Sequence, residues 1–385
     1  MTAEERDILL REDVLAAIDA AIERDAVRIA LDSRIPHARE VATQVKYLQR
    51  AKSKLPRMYA ARCIIPPRAF EQSSSEQCAA AKQLKGRSLL DLTCGLGVDA
   101  ASLAQSFERV VALERDEVLA SITRENLRRQ GIKNVEVVNA SAEEYLATCT
   151  DHFDWLYADP DRRTADGRRV VRLEDCSPNM LAIWSDVKRV AECVAIKNSP
   201  LFDVDEAFRL FGDCRVEVVS MGGECKEVMI YVDGSSPTLA AESVGGERYE
   251  VSRAEALAAE PMVGDFAERM GDYNYLIIPD VALQKARLVV SALRGKADVW
   301  SNNSFGFAVE PVEGLLGRTE RISRIEEYDP KQLKRQLKGQ GVEIIMRDFP
   351  ISLDDVRRKC SLRSGNSHRI ALTRIGGKNY VVWLG

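Results

Sequence analysis

Residues 88–100 read SLLDLTCGLGVDA, and this stretch decides the fold. A short apolar run ends at Asp91, and two glycines, Gly95 and Gly97, follow closely. The apolar run predicts a buried strand, and VDAASLAQSF after the glycines predicts a helix. Because glycine has no Cβ, the main chain can turn sharply here and approach a ligand. In an open parallel sheet ligands bind where strands end and helices begin, so this turn predicts a ligand site.

From residue 87 onward, strand-like runs alternate with helical stretches. The runs are RSLLDL, RVVALE, VEVVNA, DWLYAD, ECVAIK, RVEVVS and EVMIYV. Short β-branched runs separated by helices are typical of a parallel sheet that is covered on both faces. The predicted fold class is therefore α/β, with a doubly wound, seven-stranded Rossmann-like sheet. Too few residues for a helix separate the last two runs, which predicts an antiparallel hairpin at the sheet edge.

The rest of the chain divides by pattern into further regions. Apolar residues at helical spacing over 5–30 predict an N-terminal helical region, 1–80, before a sheet domain over 81–235. DGSSPT (233–238) is interpreted as a linker into a connecting region, 236–318, with a helix near 280–294. Residues 319–385 predict a small α+β domain in the order strand, helix, strand, helix, strand, strand.

Composition narrows the class of protein. No apolar run is long enough to cross a bilayer, and the acidic N-terminus argues against a secretory signal. Nine scattered cysteines without a CxxC pair favour reduced thiols in a cytoplasm, and three dispersed histidines suggest no metal centre. The net charge is −4, yet seven cations and no acid lie between Lys46 and Phe70. From Arg321 to the end, 14 Lys and Arg face 7 Asp and Glu. Either segment fits a polyanion partner or a solvated basic face.

Acidic residues at the strand ends indicate which ligand the glycine turn holds. Asp91 would attract a cationic amino acid moiety and repel a pyrophosphate. Glu114, which ends the second strand, is placed to accept both hydroxyls of a ribose. After the third strand, a backbone amide beyond Ser141 could meet an adenine edge. Together they predict a pocket for S-adenosylmethionine. The candidate cofactor-binding residues are Asp91, Gly95, Gly97, Asp99, Glu114, Arg115, Ser141 and Ala142.

Other interpretations of these residues remain open. GLGVDA also satisfies GxGxxA, so a nicotinamide dehydrogenase, or a doubly wound domain without a cofactor, is an alternative. Asp91 or Asp99 could cap a helix, and Glu114 could be a surface acid. Cys94 is interpreted as a small structural residue of the loop.

The fourth strand ends in Asp159-Pro160, which are the candidate catalytic residues. Methyl transfer is an in-line displacement that needs a nitrogen lone pair aimed at the sulfonium carbon. A carboxylate and a rigid carbonyl can hold two N–H groups and so aim that lone pair. Proline fixes φ and leaves its carbonyl as the main-chain hydrogen-bonding group. The pair therefore predicts methylation of an exocyclic amine.

On these motifs the chain resembles class I S-adenosylmethionine-dependent methyltransferases, nearest to the RNA guanine-N2 group. That group carries DPP followed by an aromatic residue, whereas here Asp161 and Arg162 occupy those positions. DPDRR, EQSSSEQ (71–77), IKNSPLFD (196–203) and the C-terminal α+β region resemble bacterial methyltransferases with a THUMP-like domain. THUMP domains are associated with binding tRNA ends, so the resemblance implies that the basic C-terminal segment docks RNA.

Because this chain lacks the aromatic residue that follows DPP, other residues would have to contact the substrate. Arg162 and Arg163 could stack on a base or grip phosphate, or instead form ion pairs with Asp161 or Asp166. Lys197 ends the fifth strand at the same crevice, and Arg357 and Arg358 lie in the densest basic stretch. The predicted function is methylation of an RNA base amine, with tRNA or rRNA guanine N2 first. The alternatives are methylation of a protein or small-molecule amine, and a non-catalytic RNA-binding protein.

Overall fold

The computed structural model describes residues 1–162 and 172–385. Its contacts divide the chain into two units, each described by itself. The first unit comprises Met1–Asp203 and Met229–Ser235, and the second comprises Val204–Val228 and Ser236–Gly385.

The first unit begins with seven helices. They are α1 (Ala3–Leu9), α2 (Glu12–Ala21), α3 (Ala26–Ala30), α4 (Ala38–Lys54), α5 (Pro56–Ala60), α6 (Pro67–Gln72) and α7 (Glu76–Ala80). In α4 the apolar residues Val41, Val45 and Leu48 recur at helical spacing and are buried, so this helix contributes one face to the core. Ser75 caps α7, since its side chain accepts the N–H of Cys78 at 3.1 Å. The predicted N-terminal helical region is therefore observed.

Parallel strands alternate with helices in the rest of this unit. The elements are β1 (Gly86–Asp91), α8 (Val98–Leu103), β2 (Phe107–Leu113), α9 (Glu117–Arg129), β3 (Val135–Val138), α10 (Ala142–Thr148), β4 (Phe153–Ala158), α11 (Trp184–Val190) and β5 (Ala191–Asn198). The strand order is β3-β2-β1-β4-β5, and each neighbouring pair is parallel. β1 lies at the centre, where Leu89 pairs with Val110 on one side and Trp155 on the other. The carboxyl ends of these strands therefore share one edge, as the doubly wound prediction requires.

The second unit begins with a short helix and four strands. They are α12 (Val204–Phe211), β6 (Arg215–Met221), β7 (Glu224–Val232), β8 (Thr238–Ser243) and β9 (Arg248–Ser252), followed by α13 (Arg253–Leu257). The chain turns from β6 into β7 at Gly222 and Gly223, both with positive φ, and residues of β7 from Met229 belong to the first unit.

The predicted hairpin is present, but its place at the sheet edge is wrong. β6 pairs in parallel with β8, and β8 pairs antiparallel with β9, so two strands add to the predicted seven. β8 was missed because TLAAES is rich in alanine and follows a turn-like segment, both weak signals for a strand.

An eight-stranded sheet forms the remainder of the second unit, in the order β11-β12-β10-β13-β17-β16-β14-β15. The elements are α14 (Phe266–Arg269), β10 (Tyr275–Pro279), α15 (Val281–Lys285), α16 (Val289–Leu293), β11 (Asp298–Val299), β12 (Gly306–Ala308), β13 (Gly317–Glu327), α17 (Pro330–Leu337), β14 (Gly341–Arg347), α18 (Leu353–Cys360), β15 (Arg363–Ser364), β16 (His368–Ile375) and β17 (Lys378–Leu384). From β13 onward they follow the predicted α+β order. The helix expected near 280–294 is instead two helices, because Arg287 adopts a positive φ of 57°.

Alternation along β16 and β17 builds two cores from one pair of strands. Ala371 and Val382 pack with an aromatic cluster around Phe266 and Phe307. Their neighbours in sequence pack with the apolar residues of α17 and α18; these neighbours are Ile370, Leu372, Val381 and Trp383. Successive side chains on a strand point to opposite faces, so both faces of the β16–β17 pair are buried.

Candidate cofactor and active site

The glycine turn is built on two residues in the left-handed region. Gly95 has φ 54° and Gly97, the N-cap of α8, has φ 78°. A Cβ on Gly97 would lie 2.7 Å from Thr123 Cγ2, so a side chain cannot enter without displacing α9. The Thr123 hydroxyl also donates to the carbonyl of Gly95 at 2.8 Å. The turn therefore needs glycine both for its backbone angles and for its close packing.

Asp91 ends β1 beneath this turn and is 1% exposed. Its Oδ1 accepts the N–H of Thr93 at 2.8 Å and lies 3.3 Å from the Thr93 hydroxyl. Its Oδ2 is buried and has no hydrogen-bond partner within the described part of the chain. Burial raises the pKa of Asp91 to about 7, partly opposed by the hydrogen bond from Thr93. A cation that reached Oδ2 would relieve the cost of this burial.

Glu114 follows β2 and lies against the glycine turn. Its Oε2 accepts the N–H of Gly95 at 3.0 Å, and its Oε1 accepts the N–H of Asp116 at 2.8 Å. Burial raises the pKa of Glu114, and these two hydrogen bonds lower it. Each carboxylate oxygen has a second lone pair, so both can still accept a hydroxyl. The next residue, Arg115, donates to the Ser177 hydroxyl at 3.1 Å instead of pointing to the turn's glycines.

Ser141 is the N-cap of α10 and forms a capping box with Glu144. Its hydroxyl accepts the N–H of Glu144 at 3.2 Å, and its own N–H donates to the Glu144 carboxylate at 3.0 Å. This side chain is therefore used in the helix cap. Ala142 is the first residue of the helix, where backbone N–H groups have no intrahelical acceptor.

Thr93 joins the glycine turn to the end of β4. Its hydroxyl accepts the N–H of Asp159 at 2.7 Å, while the same side chain lies beside Asp91. Pro160 is buried and Arg162 is exposed. Asp161 exchanges two backbone hydrogen bonds with Ser177, at 2.7 and 3.0 Å. Arg163 lies outside the described residues. Thr93 was not among the predicted site residues, although it lies between Asp91 and the first glycine of the turn.

Lys197, at the end of β5, reaches Asp159. Its Nζ donates to Asp159 Oδ2 at 2.6 Å and to the hydroxyl of Ser74 at 2.8 Å. The Lys197 side chain is 12% exposed, and that of Asp159 is 28% exposed. A charged hydrogen bond of this length fixes the carboxylate firmly. The structure thus places Lys197, predicted as a substrate contact, directly on the predicted catalytic acid.

Asp99 lies at the centre of a buried polar network beside this pair. It accepts from the Tyr157 hydroxyl at 2.9 Å and from Ser74 at 3.1 Å, and it forms an ion pair with Lys82 at 3.0 Å. Burial alone would raise the pKa of Asp99, but Lys82 and Lys197 lower it well below its usual range. Ser74 belongs to the EQSSSEQ motif of the sequence analysis, but no sequence pattern pointed to Lys82 or Tyr157 as residues of the site. Asp99 is therefore engaged by the protein's own side chains.

Arg357 and Arg358 lie in α18, which belongs to the second unit. Arg357 donates to the Ser364 hydroxyl, and Arg358 forms an ion pair with Asp355 one turn away. Arg369, in β16, donates two hydrogen bonds to Glu320, at 2.8 and 2.9 Å, and one to Glu343 at 2.9 Å. Arg369 is thus held in a structural ion-pair network.

Over residues 1–162 and 172–385, no three His, Cys, Asp or Glu side chains form a group that could hold a metal ion. No helix in the same ranges combines the length and apolar character of a membrane span.

Comparison with known proteins identifies two domains. A model of the methyltransferase domain matches residues 89–167, and a model described as THUMP domain-like matches residues 317–385. An S-adenosylmethionine-dependent methyltransferase of Mycobacterium tuberculosis is 24% identical over 349 residues, covering 85% of this chain and 90% of the relative. The ribosomal RNA small subunit methyltransferase J of Francisella philomiragia is 34% identical over 100 residues, covering 23% of this chain and 42% of that protein.

A solved structure shows the same fold. The crystal structure of a proposed methyltransferase from Porphyromonas gingivalis W83 matches with a TM-score of 0.82 at 24% identity, covering 97% of this chain and 98% of that one. The predicted α/β class, methyltransferase domain and THUMP-like domain are therefore confirmed. The predicted cofactor, S-adenosylmethionine, is the one that the name of the Mycobacterium tuberculosis relative carries. The chain thus contains a methyltransferase domain and a THUMP-like domain.

Proposed function

We propose that this methyltransferase transfers a methyl group from S-adenosylmethionine to an exocyclic amine of an RNA base. Guanine N2 in tRNA or rRNA is the first candidate. The observation that carries the proposal is the link between two strand ends: Thr93 hydrogen-bonds both Asp91, under the glycine turn, and the main chain of Asp159. This link supports the proposal, because it brings the Asp159-Pro160 pair, which would orient the amine, close to Asp91, which would bind the methyl donor.

The residues of the first unit fit S-adenosylmethionine. Asp91 Oδ2 is a buried carboxylate oxygen without a hydrogen-bond donor in the described chain, and it suits a cationic α-amino group. Glu114 would accept ribose hydroxyls, and the N–H of Ala142 would face the adenine edge. Gly95 and Gly97 let the main chain approach. When bound, the cofactor supplies an electrophilic methyl group on a sulfonium sulfur.

Asp159 and Pro160 would orient the amine. Lys197 and Asp159 form a charged hydrogen bond of 2.6 Å through Oδ2, so Oδ1 remains as an acceptor for a substrate N–H. The Pro160 carbonyl would accept the second N–H, and the nitrogen lone pair would then point along the line of attack. No strong base is needed, because the methylated amine loses its proton readily.

The charges around Asp159 support a neutral amine as the substrate. Lys197 lies on Asp159, and Lys82 lies close by on Asp99. Because Lys197 already neutralises Asp159, this pair holds no net negative charge that would draw in a protonated amine such as a lysine side chain, whereas a base amine carries no charge. The THUMP-like domain and the partial similarity to an rRNA methyltransferase also support RNA. Arg162 is exposed and could stack on the base in place of the missing aromatic residue.

Methyl transfer from radiolabelled S-adenosylmethionine to total RNA tests the proposal. We expect wild-type protein to label RNA, and Asp159→Ala to label it about 100-fold more slowly, because the amine loses its orientation. Asp151→Asn is the matched control, since this exposed acid pairs with Arg109 at the opposite end of β4. Nuclease digestion and mass spectrometry of the product should show N2-methylguanosine.

Three other results would contradict the proposal. Label in protein or small molecules but not in RNA would favour an amine substrate of another class. Binding of RNA without any methyl transfer would favour a non-catalytic RNA-binding protein. Equal rates for Asp159→Ala and wild type would remove Asp159 from the reaction.

A further inference from the structure

A row of cations runs along one face of α4. Lys46, Arg50 and Lys54 follow one another at intervals of four residues, so they lie on the same side of the helix. Successive members are about 6 Å apart along the axis. Lys46 and Arg50 are exposed, and Lys54 is half-buried. These three residues are called the α4 stripe below.

Aromatic rings support the stripe from beneath. Tyr47 and Phe70 pack edge to face with ring centroids 5.5 Å apart. The Arg50 guanidinium lies 5.1 Å from the Tyr47 ring and 5.0 Å from the Phe70 ring, and Lys54 Nζ lies 4.7 Å from Phe70. Cation–π contacts of this kind hold long side chains in place. The charges of the stripe are therefore positioned before any partner arrives.

One end of the stripe lies close to the catalytic residues. Lys54 donates to the carbonyl of Phe70 at 2.6 Å, and the chain then passes through α6 to Ser74, whose hydroxyl accepts from Lys197. Burial lowers the pKa of Lys54, Glu71 opposes this, and the charge of Lys197 lowers the pKa further. The cations of α4 thus continue into the Lys197–Asp159 pair.

A single acid lies within the stripe as described. Glu71 pairs with Arg50 at 2.5 Å, and both side chains are about half exposed. The hydrogen bond from Arg50 lowers the pKa of Glu71, and the charges of Lys54 and Lys46 lower it too. Three cations around one acid leave a net positive surface.

We infer that the α4 stripe is a docking surface for the single-stranded RNA that flanks the target nucleotide. This inference rests on the proposed RNA substrate. Lys46 and Arg50 would contact phosphates, while the exposed guanidinium plane of Arg50, held over the rings beneath it, suits stacking on a base, which favours RNA over an acidic protein. A strand held there would lead toward Lys197 and Asp159. The THUMP-like domain would then not be the only RNA contact.

Binding of a fluorescent single-stranded RNA of mixed sequence to the full chain, measured over a salt series, tests the inference. Lys46→Gln with Arg50→Gln removes two phosphate contacts, so the slope of log affinity against log salt should fall by about 1.4. The same relation gives about 25-fold weaker binding at roughly 0.1 M salt. Glutamine is a good helix former, and unchanged binding of S-adenosylmethionine would show that the fold is intact.

Two further variants sharpen the test. Lys133→Gln with Lys188→Gln makes the same charge change at two exposed residues that precede β3 and β5. They lie at the edge of the sheet opposite the strand ends of Asp159 and Lys197, so this double variant should leave the salt slope unchanged. Glu71→Gln removes the acid of the stripe and should strengthen RNA binding. A merely structural role for the stripe does not predict this gain.

The outcomes separate this inference from the proposed function. The docking surface would be overturned, while RNA methylation stands, if the Lys46 and Arg50 double variant and the Lys133 and Lys188 double variant weakened salt-dependent RNA binding equally. It would also be overturned if neither variant weakened that binding. Absence of RNA binding and of RNA methylation by wild type would overturn both. Polyglutamate that displaces the RNA at equal charge concentration would point to an acidic protein and overturn the choice of RNA.

Discussion

At the scale of single residues, Gly97 meets two constraints that can be separated by substitution. Gly97 and Gly131 both have positive φ, of 78° and 72°. A Cβ on Gly97 meets Thr123 at 2.7 Å, whereas a Cβ on Gly131 meets nothing within 4 Å. We expect Gly131→Ala to cost about 1 kcal/mol and Gly97→Ala about 3 kcal/mol, since only the latter adds a clash. Urea unfolding checks both values, and equal costs would contradict the packing role of Gly97.

Protonation of Asp91 affects both the stability of the folded protein and its affinity for the cofactor. Its pKa is raised to about 7 in the folded protein, against 3.8 for the ordinary side chain. The folded state therefore keeps a proton that the unfolded chain loses, so this residue's contribution to stability falls as pH rises through about 7. Asp91→Asn should remove that fall, worth about 4 kcal/mol, and stabilise the ligand-free protein at pH 8.

The same substitution should abolish binding of S-adenosylmethionine, because an amide cannot neutralise the α-amino group. In wild type, affinity should rise with pH through about 7 as Asp91 ionises. Calorimetry in buffers of different ionisation enthalpy would detect proton release on binding below that pH. A pH-independent affinity would contradict this assignment.

The strand-end acids and glycines were predictable because each ends a recognisable strand. Asp91, Glu114 and Asp159 stand where an apolar run stops, and the doubly wound pattern brings those positions to one edge. Lys82 and Tyr157 were not predictable. Their pairing with Asp99 depends on how α7 and α8 pack on the sheet, and nothing in their local sequence encodes that contact.

At the scale of elements, Asn126 joins the N-terminal helices to α9. It is fully buried, its amide donates to the carbonyl of Ile64 at 2.8 Å, and its carbonyl accepts the N–H of Ile64 at 2.8 Å. Asn126→Ala would leave two buried backbone groups without partners, so we expect a loss of about 3 kcal/mol in unfolding free energy.

The control for this prediction is Asn139→Ala. Asn139 also donates to two carbonyls, those of Glu114 and Arg115, but it is exposed, so water can replace its hydrogen bonds. We expect a loss below about 1 kcal/mol. Guanidinium unfolding of both variants measures the difference, and comparable losses would argue against the anchoring role of Asn126.

Element prediction succeeded where the pattern was local and failed where pairing was distant. The alternation of apolar runs and helices gave β1 to β7 in order. β8 was missed because its pairing with β6 depends on contacts between separate segments. The helix expected near 280–294 is divided into two by the positive φ of Arg287. The sequence did not indicate this break, because arginine is not a residue type that signals a positive φ.

At the scale of the whole molecule, a chain of net charge −4 carries two basic segments that differ in how their cations are used. The α4 stripe has one acid among three cations. In the C-terminal segment, Arg369 is held by Glu320 and Glu343, while on α18 Arg358 is exposed and Arg357 is half-buried. Net charge therefore says little about affinity for RNA, because the arrangement of charges decides it.

This difference predicts which C-terminal cations contact RNA. If the THUMP-like domain docks the substrate, Arg357→Gln with Arg358→Gln should lower the salt slope of RNA binding by about 1.4, as for the α4 stripe. Because each slope counts separate phosphates, combining both pairs of substitutions should lower it by about 2.8. Arg369→Gln should instead reduce stability and leave the slope unchanged, since its guanidinium is committed to two carboxylates. An unchanged slope for the Arg357 and Arg358 pair would identify α18 as a solvated face and assign RNA docking to α4.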